Sequence, residues 1–274
     1  MHARLWITIG LLIVALSLEA TVPRAATEPG SLPAAIVGRA AALQGENVAY
    51  FDADPKAMGY LAVPEGTGPF PAVILIHEWN GLVPRVKETA DAFAAEGYVA
   101  LAADLYSGRL GNNPDENMAL VRETLAKPDQ LIANLNAAVK LLKGRSDATG
   151  KVATIGWCYG GGVALSFALG GENHDGTAIF YGRLLDDPER MQHIHHEIYG
   201  TFVKDDPGIP LESVNKFVET LRSIGIKNDV HIYDDVNHGF WLHVDSDPET
   251  STGPAIDAWE RLKAYLKRTL ASGS

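Results

Sequence analysis

Residues Lys151–Gly162 read KVATIGWCYGGG, and the rest of the chain is arranged around them. Val152, Thr154 and Ile155 form a short β-branched run, the pattern of a buried strand. The run passes through Gly156-Trp157-Cys158-Tyr159-Gly160 into Val163-Ala164-Leu165-Ser166-Phe167-Ala168-Leu169, an apolar stretch able to continue as a helix. A strand that turns at once into a helix through Gly-x-nucleophile-x-Gly is a nucleophile elbow. Its glycines are needed because backbone and helix crowd a turn whose central residue is strained. Here that central residue is Cys158. The N–H of Tyr159 would lie at a helix N-terminus, aimed at any oxyanion that develops there. The plainer reading of the same stretch is a small buried thiol beside a tight turn. The decision rests on residues elsewhere in the chain.

Upstream, Val48-Ala49-Tyr50-Phe51 and Met58–Pro64 read as two early antiparallel strands. Ala72-Val73-Ile74-Leu75-Ile76 is an unbroken apolar run, the mark of a strand covered on both faces. A helix follows over Pro84–Glu96, with Val86, Ala90, Phe93 and Ala94 on one side. Tyr98–Ala103 is the next buried strand, followed by a loop over 107–117 and two helical stretches. Downstream of the elbow come strands at Thr177–Tyr181, Glu197–Val203 and Val230–Tyr233. A helix over Leu211–Ile224 lies between the last two, and a final helix runs from about Pro254 to Leu270. Residues 183–197 are polar and read as irregular. Strand and helix alternate throughout, which predicts an α/β fold: one domain with a doubly wound, mostly parallel sheet. The domain is expected over 45–274, with a mixed leader over 27–44.

The chain has 274 residues, a net charge of −11 and one cysteine. The acidic balance argues against nucleic acid or an anionic membrane as partner. There is no internal repeat and no phosphate-binding glycine loop, and no cofactor is called for. The first 26 residues differ in kind. Arg4 precedes an apolar run from Leu5 to Leu18, and small residues follow around Ala20–Ala26, the layout of a signal peptide. An uncleaved N-terminal anchor is the alternative, although the run is short against the ~20 residues of a membrane span. Cleavage would remove Arg4, Arg24 and Glu19, taking the charge from −11 to −12. The expected location is periplasmic or secreted. An exported protein with a single thiol exposes it to oxidation, which favours a functional reason for keeping Cys158.

In a parallel sheet, ligands gather at the carboxyl ends of the strands. Glu78, Cys158, Asp206 and His238 each fall just after a predicted strand. Their order puts nucleophile first, acid second and histidine third. His238 would take the thiol proton and return it to the leaving oxygen. Asp206 would fix the imidazole tautomer and steady its charged form. Asp205 is the alternative acid, and Asp-Pro at Asp206-Pro207 can simply open a turn. His238 in Asn-His-Gly can also be read as a loop residue. His193, His195 and His196 form a cluster that could bind metal. No carboxylate or cysteine pattern accompanies it, and a solvated loop is the preferred reading.

Five segments together carry a resemblance: His77-Glu78-Trp79-Asn80-Gly81, Asp104-Leu105-Tyr106, Gly156–Gly161, Asp206–Pro210 and His238-Gly239-Phe240. With these the chain resembles the dienelactone hydrolase family over about residues 45–270. The resemblance implies an α/β-hydrolase fold and a Cys158-His238-Asp206 triad. It also implies that Glu78 contacts the resting thiol and leaves it when substrate arrives. By the same resemblance, the N–H groups of Trp79 and Tyr159 make the oxyanion hole. Family members that take dienelactone hold its carboxylate with arginines, one of them four residues after the histidine. Leu242 stands at that position here. Arg109 is one candidate for the other clamp, with Arg122 as a second.

Trp79, Trp157, Tyr159, Phe240 and Trp241 suggest an apolar pocket suited to a neutral or aromatic ester. Trp79, Tyr159, Trp241 and Arg109 are the expected substrate contacts. The expected activity is hydrolysis of small lactones or carboxylic esters. A non-catalytic binding protein and a thiol redox sensor are the competing readings on the same fold.

Overall fold

The computed structural model describes residues 26–172 and 174–271. The signal-peptide stretch expected over residues 1–26 lies, apart from Ala26, outside the described residues. Among the described residues, eight strands form one sheet in the order β1-β2-β4-β3-β5-β6-β7-β8. They are β1 (Glu46–Ala49), β2 (Met58–Ala62), β3 (Phe70–Ile76), β4 (Val99–Ala103), β5 (Ala148–Trp157), β6 (Gly176–Phe180), β7 (Ile198–Val203) and β8 (Asn228–Tyr233). β1 and β2 pair antiparallel, and β2 is antiparallel to β4. From β4 to β8 every pairing is parallel. All the carboxyl ends of those six strands therefore open onto one edge.

Among the described residues, seven helices cover the sheet: α1 (Pro84–Ala95), α2 (Pro114–Leu125), α3 (Pro128–Lys143), α4 (Tyr159–Gly170), α5 (Pro188–Met191), α6 (Leu211–Ser223) and α7 (Pro248–Thr269). The β3 run shows why both faces are needed. Val73 and Leu75 join a core with Val86, Ala90 and Phe93 of α1 and Trp259 and Leu262 of α7. Ala72, Ile74 and Ile76 face the opposite way, into a core with Leu135 and Ala138 of α3 and Phe167 of α4. Strict alternation along an all-apolar strand splits its side chains between the two layers. A third core joins Leu165 of α4 to Phe217 and Leu221 of α6 across β6 and β7.

Two elements depart from the sequence expectation. The last helix begins at Pro248, six residues before Pro254, and carries Pro254 inside it. Residues 183–197 contain the short helix α5, begun by the Asp187 carboxylate accepting from the Arg190 N–H at 3.2 Å. The leader segment is tied down: Ile36 is fully buried in the α1–α7 core, and the Thr27 N–H donates to Glu96.

Candidate active site

The elbow forms at the end of β5. Cys158 has φ 53° and ψ −115°, a left-handed conformation costly for any residue with a Cβ. The strain is held by backbone bonds on both sides. The Cys158 N–H donates to the Phe180 carbonyl at 3.0 Å, and the Cys158 carbonyl accepts from Gly161 and Gly162. Gly160 is required by crowding: a Cβ there would fall on the carbonyl oxygens of Ile76 and His77. The bend thus presses α4 against β3 and lifts the sulfur off the sheet edge.

Asp206 lies in the loop after β7. Its Oδ1 accepts from the N–H groups of Gly208 and Ile209 at 2.8 and 3.1 Å, which closes the turn and orients the carboxylate. Its Oδ2 lies 2.6 Å from His238 Nδ1. The Asp206 side chain is almost wholly buried, and that of His238 is one-third exposed. A carboxylate accepting from Nδ1–H leaves Nε2 as the free base. His238 follows β8 and packs against the ring of Tyr181, with ring centroids 4.9 Å apart.

Cys158 and His238 line one cavity of about 530 Å³, together with Trp79, Tyr159 and Tyr181. Its walls are mainly apolar, from Met118, Val121 and Leu125 of α2, Leu165 and Leu169 of α4, and Leu184, Leu185 and Ile209. Arg183 and Arg190 also border it, from the stretch that sequence reading left as irregular. Burial pushes the Cys158 thiol up to about 12, and the charge of Glu78 adds to that. The Tyr159 N–H opposes the rise, and Asp206 adds a smaller upward push. Burial thus favours the protonated thiol at rest.

Glu78 follows β3 and is buried. Its Oε2 lies 2.6 Å from Nε2 of His243, a residue without a role in the sequence reading, and this bond stands where the resemblance implies a contact with the resting thiol. His77 behind it is fully buried and held neutral, its pKa lowered to about 4 by desolvation. Its Nδ1–H donates to the Glu78 carbonyl at 2.6 Å, and its Nε2 accepts from the Leu105 N–H at 3.3 Å. That bridge fixes the backbone of the Glu78-Trp79 loop.

Two expected substrate contacts lie elsewhere. The Trp241 ring is fully buried and stacked on Trp157 at 5.6 Å, inside the α1–α7 core. A large apolar ring gains more from full burial there than from a half-wet pocket. Arg109 does not line the cavity and pairs with Glu123 of α2 at 2.8 Å. Its Nε–H also donates to the Tyr106 carbonyl. His196 bonds the Thr177 hydroxyl at 2.8 Å. Among the described residues no three His, Cys, Asp or Glu side chains converge as a metal site.

The dienelactone hydrolase family profile matches residues 57–270. The chain belongs to the dienelactone hydrolase family. A Methylorubrum extorquens protein provisionally named carboxymethylenebutenolidase is 29% identical over 222 residues, covering 76% of each chain. An Aquifex aeolicus protein with the same provisional name is 31% identical over 233 residues, 81% of this chain and 100% of the relative. Among solved structures, a dienelactone hydrolase-like promiscuous phosphotriesterase from metagenomic libraries superposes with a TM-score of 0.73 at 22% identity. The match covers 83% of this chain and 99% of the other. The fold is that of the dienelactone hydrolases, and this member is a hydrolase of lactones or carboxylic esters.

Proposed function

We propose that this dienelactone hydrolase-family member is an exported, cysteine-dependent hydrolase of neutral or aromatic esters and lactones, working through Cys158, His238 and Asp206. The observation that carries the reading is the 2.6 Å Asp206–His238 pair, with His238 lining the same mainly apolar cavity as Cys158. His238 Nε2 accepts the thiol proton as the sulfur attacks the ester carbonyl. The tetrahedral oxyanion is met by the Tyr159 and Trp79 N–H groups, one at the start of α4 and one on the loop that His77 braces. Collapse expels the alkoxide, which takes the proton from His238 and leaves a thioester on Cys158. Water, deprotonated by His238, then releases the acid and restores the thiol.

The raised thiol fits a nucleophile formed only on demand. It weighs against a redox sensor, whose thiol needs thiolate character at rest. The apolar walls from α2 and α4 favour an uncharged acyl or aryl group. Export rests on the Leu5–Leu18 run and the single cysteine.

A panel of lactones and esters, anionic and neutral, tests the reading. Neutral apolar esters are expected to show the higher kcat/KM. Turnover by Cys158→Ala at the wild-type rate would end the assignment.

A further inference from the structure

Glu78 is a buried carboxylate whose charge pushes the Cys158 thiol up, opposing the ionisation that attack on an ester needs. Its side chain is held by His243, which comes from the other side of the site on the turn after β8. That turn is rigidly built. The His243 N–H donates to the Gly239 carbonyl at 3.2 Å, and the His243 carbonyl accepts from Ser246 at 3.0 Å. Arg85 of α1 clamps the same turn, donating to the Leu242 carbonyl at 3.0 Å and pairing with Asp245 at 2.6 Å.

We propose that His243 is a positioning residue for the reaction: it holds the Glu78 carboxylate in one place and, as imidazolium, offsets the charge that Glu78 imposes on Cys158. The proton on His243 then sets how readily the sulfur ionises. The proposal deepens the reading of Cys158 as nucleophile and rests on it.

The charged groups facing His243 are Glu78 from the end of β3, Arg85 from α1 and Asp245 from its own turn. The hydrogen bond to Glu78 raises the imidazole above its ordinary value. Burial lowers it, the Glu78 charge raises it further, Arg85 lowers it and Asp245 raises it. Arg85 is itself engaged with Asp245, so its opposition is partly spent there. A half-exposed imidazole against a buried carboxylate can gain and lose its proton without unfolding the turn. Opposite charges a few ångströms apart change each other's proton affinity, and so does removing one of them.

The single cysteine allows a test on the sulfur itself. The full-length protein is alkylated with iodoacetamide across pH 6–9 and followed by intact mass. The proteins compared are wild type, His243→Gln, His243→Arg and the double variant His243→Gln/Glu78→Gln. His243→Gln keeps a donor but no charge, and alkylation at pH 7 is expected to slow about tenfold, one pH unit of thiol affinity. The double variant is expected to recover the wild-type rate, because the charge to be offset is gone. His243→Arg is expected to stay fast and to outrun wild type at the alkaline end, above the pH at which the raised imidazole loses its proton.

A His243→Gln protein that alkylates as wild type at every pH overturns the proposal. So does a slow His243→Gln that Glu78→Gln fails to relieve, since His243 would then act through packing alone. The readout needs no ester turnover, so its failure is separable from failure of the hydrolase assignment.

Discussion

At the scale of single residues, the site divides into a sulfur, a base and two carboxylates with opposite duties. Asp206 is wired to His238 and to two backbone N–H groups, so it is fixed as an acceptor. Glu78 is held by a histidine instead and acts on the sulfur through space. Asp206→Asn is expected to leave the fold intact and lower kcat on the order of 10³-fold, because an amide can present the wrong partner to Nδ1–H. Steady-state kinetics beside circular dichroism checks both halves of that statement. Cys158→Ser is expected to keep only a small residue of turnover. A hydroxyl is far harder to deprotonate than even a raised thiol, and Glu78 and Asp206 would still stand nearby.

At the scale of elements, the elbow depends on close approach between α4 and β3. Gly160→Ala puts a methyl group onto the Ile76 and His77 carbonyls and is expected to cost at least about 2 kcal/mol. Urea unfolding would show it; an unchanged midpoint would mean that the crowding is relieved cheaply. α2 forms the outer wall, with Met118 and Leu125 both partly exposed. Leu125→Asp is expected to raise KM for apolar esters about tenfold with kcat little changed, since it removes apolar contact but not chemistry.

The elements also show what the sequence could tell. The β3 and β4 runs, the elbow and the strand-end acids were legible because each is a local pattern. The start of α7 was not, because Pro248 and Pro254 both suit a first turn and the helix begins at the earlier one. Trp241 and Arg109 were misplaced for a related reason: a tryptophan beside the catalytic histidine points into the core, and Arg109 meets its acid on α2. His243 carried no local signal. Its meaning depends on the turn after β8 meeting the end of β3, which only the sheet order brings about.

At the scale of the molecule, histidines tie stability to pH. His77 is buried and His174 and His196 are half-buried, and desolvation lowers their pKa values to about 4, 3 and 4. A group lowered in this way stabilises the fold above its unfolded value of ~6.5, and that contribution is lost as pH falls toward the folded value. For His77 the full shift corresponds to about 3 kcal/mol. His243 runs the other way. Its raised value gives stability that is full below ~6.5 and lost as pH rises through the folded value. Three lowered groups outweigh one, so the unfolding free energy is expected to fall as pH drops from about 6.5 to 4. A flat profile across that window in urea titrations would contradict the burial argument. The pH optimum for stability and that for thiol ionisation therefore need not coincide.

The central claim is that one sulfur, lifted off the sheet on a strained bend, carries the acyl group. Mixing the protein with excess p-nitrophenyl acetate and quenching in acid for intact-mass and peptide analysis tests this most directly. The account predicts a burst of one equivalent of nitrophenol, with an acetyl group on Cys158 that is absent in Cys158→Ala and strongly slowed in His238→Ala. Hydrolysis at the wild-type rate with no acyl group on Cys158 would contradict it.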